Sequence, residues 1–119
     1  MSDFVRLAWE GVRERRRFFE SYVERIVGFF GGRVTLILFG SRARGDEMLS
    51  SDYDLAVVVE EEVDVLGLTE TLVKMRPRGL PVDVVVLQKE ELGDPLVTRM
   101  LTPCRMLYNG LGIQEAPCQ

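Results

Sequence analysis

Histidine is missing from all 119 residues, which excludes imidazole bases and imidazole metal ligands and leaves carboxylates as the general bases at hand. Cysteine is scarce: Cys104 and Cys118 are the two present, with neither a disulfide framework nor a zinc spacing, so one packed thiol and one tail thiol are expected. No basic segment followed by an apolar one opens the chain, and no apolar run nears the ~20 residues of a membrane span. A cytoplasmic protein without membrane contact is therefore expected. Repeats, low-complexity segments and an internal linker are also missing. So are the Gly-Lys-Ser/Thr of a Walker A loop and the glycine pattern of a Rossmann turn. With 46% hydrophobic and 29% charged residues, the composition suits one globular domain with a modest core. The net charge of −4 gives no electrostatic pull on nucleic acid as a whole, and no direct nucleic-acid contact is expected.

What is present centres on Phe39 to Asp54. The apolar run Val34 to Phe39 leads into Gly40-Ser41, and Leu55 to Val59 leads out of Asp52-Tyr53-Asp54. Both runs are rich in β-branched residues and bounded by turn signals, so they read as buried strands. Asp52 and Asp54 are two apart, which on an extended chain puts both on one side, about 7 Å between Cα atoms. Tyr53 then faces the other side, where packing is its expected role. Charges that close repel unless a cation sits between them, and Mg²⁺ suits such oxygen ligands. A third carboxylate, Asp83, interrupts the apolar run Pro81 to Leu87.

Along the chain, Ser2 is a candidate N-cap, and apolar residues from Val5 to Phe30 recur at three- and four-residue intervals. That spacing predicts an amphipathic helix over 3–29, ended by Gly31-Gly32, with Gly11 a possible break. Arg13 to Arg17 lie mid-helix, as a solvated face or as a contact for an acidic partner or polyphosphate. The apolar residues of this helix exceed what so small a core can cover, which points to an oligomer or partner surface. After the strand 33–39, Ser41 can cap a short helical turn over 42–44, whose N–H groups suit phosphate oxygens. Gly40, lacking Cβ, lets the backbone approach closely. Arg42 and Arg44 either contact phosphate or pair with nearby acids; the sequence leaves both open. A loop over 45–51, a strand over 52–60, a helix over 65–75, a strand over 81–87, a helix opened by Asp94-Pro95 and running to about 101, and a short strand over 105–108 follow. One domain over 1–109 with a flexible tail over 110–119 is the expected organisation.

Gly40-Ser41, ten residues, Asp52-Tyr53-Asp54 and then Asp83 resemble the nucleotidyltransferase superfamily that includes DNA polymerase beta, most closely its minimal (MNT) branch. The flanks Gly-Ser-Arg-Ala-Arg-Gly and Ser51-Asp-Tyr-Asp-Leu55 match as well, and the likeness covers about residues 20 to 88. The helix and strand order gives a small α/β sheet. The resemblance adds that the sheet is mixed, largely antiparallel and palm-like, with helices on one face. It further implies a Mg²⁺-dependent enzyme with ATP as substrate. Asp52 and Asp54 would bind two Mg²⁺ ions, Asp83 would bind one of them and assist deprotonation, and Gly40 and Ser41 would hold the distal phosphates. Small members of this branch pair with all-helical HEPN ribonuclease toxins as antitoxins, and some transfer AMP to a tyrosine of the toxin. That is the first expectation. The alternatives are a non-catalytic partner that silences the toxin by contact, and a small-molecule nucleotidyltransferase acting as an oligomer.

Overall fold

In the computed structural model the described residues are 3–40, 43, 52–114 and 116–118, and the side chains of Phe4, Val5, Ala8, Trp9 and Val12 lie outside the description. The first helix, α1, spans Asp3–Phe29. It runs unbroken through Gly11, and its stop is set by Gly31 and Gly32 at φ 60° and 84°, a backbone region that costs other residues about 1–2 kcal/mol. Ser2, the expected cap, lies outside the described residues. Then come β1 (Thr35–Phe39), β2 (Tyr53–Val59), α2 (Val65–Lys74), β3 (Val82–Gln88), a 3₁₀ turn (Lys89–Gly93), α3 (Pro95–Leu101) and β4 (Cys104–Asn109). Asp94 caps α3, its Oδ1 accepting from the Leu96 N–H at 2.8 Å, and Pro95 takes the first helical position. There a missing N–H costs nothing.

The sheet has the order β3-β2-β1-β4. β1 runs antiparallel to both β2 and β4, while β2 and β3 run parallel. The fold is a small mixed α/β sheet, largely antiparallel. Both faces are covered, which is why Leu55 to Val59 reads as continuous apolar sequence instead of alternating with polar residues. Tyr53, Leu55, Val57 and Val59 point to the face where α1 and α2 pack through Phe19, Tyr22, Ile26 and Leu72. Ala56 and Val58 point to the opposite face, beneath Leu92 of the 3₁₀ turn, Leu101 of α3 and Ile113 of the C-terminal segment. The two longer helices thus share one face, and the later elements form a thinner cover on the other.

Tyr22 ties the first face together. Its hydroxyl donates to the Leu72 carbonyl, one of the last-turn oxygens that a helix leaves without an internal partner. Burial pushes this phenol up to about 12, against the pull of Arg76 and Arg25. Tyr22→Phe should cost about 1–2 kcal/mol, because the buried carbonyl loses its donor. Urea unfolding of the two proteins checks this; equal midpoints would mean that the carbonyl is satisfied otherwise.

The cysteines correct the sequence reading. Cys104 and Cys118 are not separate thiols but form a disulfide, with Cα atoms 4.8 Å apart and fourteen residues apart in sequence. Spacing along the chain could not show this, because the two meet only after β4 has joined the sheet and the chain has turned back. The segment after β4 carries further contacts. Ile113 is buried, and the Asn109 side chain bridges it through its N–H and carbonyl, both at 2.9 Å.

Candidate active site

The register of the sheet brings together two carboxylates that are far apart in sequence. Asp54 on β2 stands directly across from Asp83 on β3, on parallel strands whose backbones lie about 4.8 Å apart. Asp54 shares its side of β2 with Ala56 and Val58, and Asp83 shares its side of β3 with Val85 and Leu87, so both carboxylates lie on the face beneath α3. Asp52 precedes β2 by one residue and is exposed, as is Asp83, whereas Asp54 is half-buried. Tyr53 points the other way and stacks on Phe19, centroids 4.0 Å apart. That is the packing role its position implied.

Charge repulsion marks the cluster. The carboxyl of Asp54 is held above its ordinary value of 3.8, first by burial and then by the charges of Asp83 and Asp52. A divalent cation would relieve that repulsion, and three hard oxygen donors fit Mg²⁺. Among the described residues no three such groups yet converge to cage a metal. Both outer carboxylates are exposed, so rotation of their side chains is what convergence would take.

Gly40 completes the corner. It follows β1 at φ 79°, and a Cβ there would collide with Oδ2 of Asp54. The close approach expected of this glycine is thus made by its own chain: the turn after β1 lies against the carboxylate that pairs across from Phe39. The Ala43 N–H donates to the Gly40 carbonyl at 3.1 Å. Ser41, expected at the phosphates, and Arg42 and Arg44, left open between phosphate and nearby acids, lie outside the described residues, as does the loop 45–51. Gly40→Ala should lower stability by about 1–2 kcal/mol from the backbone alone, and further by the clash. It should also weaken nucleotide binding, since Asp54 must move. A thermal melt with and without Mg²⁺·ATP checks both effects, and an unchanged melt would remove Gly40 from the site.

The solved structure of a candidate nucleotidyltransferase from Sulfolobus solfataricus is similar to this chain, with a TM-score of 0.62 and 26% identity over 83% of this chain and 84% of that one. No curated protein matches closely enough to count as a relative. The profile of the family described as "Polymerase beta, Nucleotidyltransferase" matches residues 32–109. That stretch takes in every strand of the sheet and all three carboxylates, and on this match the chain belongs to the polymerase beta nucleotidyltransferase family.

Proposed function

We propose that this nucleotidyltransferase transfers AMP from ATP to a hydroxyl of a partner protein, a tyrosine of a HEPN toxin, and so acts as its antitoxin in the cytoplasm. The observation that carries the reading is the corner where Asp54, Asp83 and Asp52 meet the glycine turn after β1. Asp52 and Asp54 would hold two Mg²⁺ ions, and Asp83 one of them. When bound, such ions neutralise a triphosphate and stabilise the attacking and leaving oxygens of an in-line displacement. Gly40 and Ser41 position the distal phosphates. Asp83, exposed and aligned with Asp54, takes the proton of the acceptor hydroxyl. The acceptor oxygen bonds to the α-phosphorus, the bond from that phosphorus to the bridging oxygen breaks, and pyrophosphate leaves. Two of the corner's three carboxylates are exposed, as an acceptor on another protein requires.

Intact-mass spectrometry of a co-expressed helical partner, incubated with ATP and Mg²⁺, tests the reading. One AMP per partner chain, on tyrosine, is expected. A second reading, neutralisation by contact alone, draws support from Leu7, Phe18 and Phe29, large apolar residues of α1 that are 63%, 42% and 52% exposed. A partner that loses its ribonuclease activity with no change in mass would favour that reading.

A further inference from the structure

The carboxylates and the disulfide share one row of the sheet. Asp83 pairs with Asp54, Asp54 with Phe39, and Phe39 with Cys104, so one line across all four strands runs from the third carboxylate to the bridge. All four lie on the same face, where Phe39 and Cys118 pack with Cys104. Strand β4 leaves this end at Cys104 and reaches the far end at Asn109, opposite Thr35. There Asn109 pins Ile113, and the segment returns along the face until Cys118 bonds to Cys104. The segment is therefore a strap fastened at both ends, and its second fastening stands beside the strand end that presents Gly40 to Asp54.

We propose that Cys104 and Cys118 form a thiol–disulfide latch whose closure stiffens the Phe39–Gly40 strand end and thereby raises nucleotide affinity at the carboxylate corner. The effect on affinity rests on the function proposed above; the stiffening does not. Closure is an exchange with a low-molecular-weight disulfide. The thiolate of Cys118, the less buried of the pair, attacks one sulfur and releases one thiol. The thiolate of Cys104 then displaces the second thiol from the mixed disulfide, and the two protons of the cysteines end on the released thiols. A dithiol reverses both steps. In a thiol-reducing compartment the latch rests open, and oxidising conditions close it.

Hydrogen exchange on the intact protein tests this, comparing the oxidised form, the form reduced with dithiothreitol, and Cys118→Ser. Reduction should speed exchange over 36–40 and 104–109 by about tenfold, as local opening of a released loop would. Residues 84–87, on the edge strand β3, should accelerate less, and the melting temperature should fall by about 5 °C. Cys118→Ser should match the reduced form and ignore the dithiol. Mg²⁺·ATP affinity, measured on the same samples, should drop about fivefold on reduction, a modest coupling between two sites. Unchanged exchange at 36–40, an equal acceleration in β3, or a response of Cys118→Ser to the dithiol would each overturn the latch. If neither form binds nucleotide, the functional reading fails while the exchange result still decides the latch. Altered exchange with equal or higher affinity on reduction overturns the proposed coupling.

Discussion

Asp54→Asn is expected to melt higher than the wild type in the absence of metal, and to lose the joint response to Mg²⁺ and ATP. Both effects have one cause. Burial and the charges of Asp83 and Asp52 hold the Asp54 carboxyl above its ordinary value of 3.8, so the ionised form works against the metal-free fold. A group raised in the folded state favours folding while protonated, and this contribution is lost as pH rises through the folded value. Asparagine is neutral at every pH. The gain should therefore appear at neutral pH, as a rise of a few degrees, fade as pH falls through the raised folded value, and be gone below 3.8. Solvent screens much of the repulsion at this half-buried site, which keeps the gain modest. Transfer activity, in contrast, should fall at least about a hundredfold, the scale for losing one pre-organised electrostatic group. Melting curves between pH 3.5 and 7.5, with and without Mg²⁺·ATP, read the stability and ligand effects together. A variant that keeps the wild-type ligand response would remove Asp54 from the metal set.

Asp83→Asn is expected to separate binding from chemistry. The side chain is exposed at the start of β3 and pairs in register with Asp54, so the isosteric change leaves the strand intact. It removes the carboxylate that would accept the proton and hold one metal, while Asp52 and Asp54 stay. Turnover should drop by about 10²–10⁴-fold, the range for losing a positioned base, and nucleotide affinity by no more than about tenfold if one of several metal contacts is lost. Single-turnover rates at saturating ATP, beside direct nucleotide titration, divide the two. Equal losses in both would make Asp83 a binding group alone.

The parts legible in the sequence are those set by local pattern. The extent of α1 follows from its apolar spacing and the glycine pair after it, and the start of α3 from Asp94-Pro95. That Tyr53 and Asp54 face opposite sides follows from strand alternation, with Tyr53 packed on Phe19. Asp83 was legible as an acid interrupting an apolar run, but that it lies across from Asp54 depends on β2 and β3 being parallel, which periodicity does not determine. The role of Gly40 was half legible. A turn that needs glycine was expected, yet the atom that forbids a Cβ belongs to Asp54, fourteen residues later. The disulfide was illegible for the same reason: two cysteines meet through the return of the chain along a sheet face, and nothing in their spacing encodes that return. The 3₁₀ turn over 89–93 likewise carries no strong local signal apart from the reciprocal Gln88–Glu91 cap.

This corner should move a nucleotidyl group and not a terminal phosphate. Incubation of the protein and its helical partner with Mg²⁺ and ATP labelled at either the α- or the γ-phosphorus tests it most directly. The label should enter the partner from the α-position, with one pyrophosphate released per transfer and none with Asp54→Asn. Label entering from the γ-position, with ADP as the product, would contradict the account.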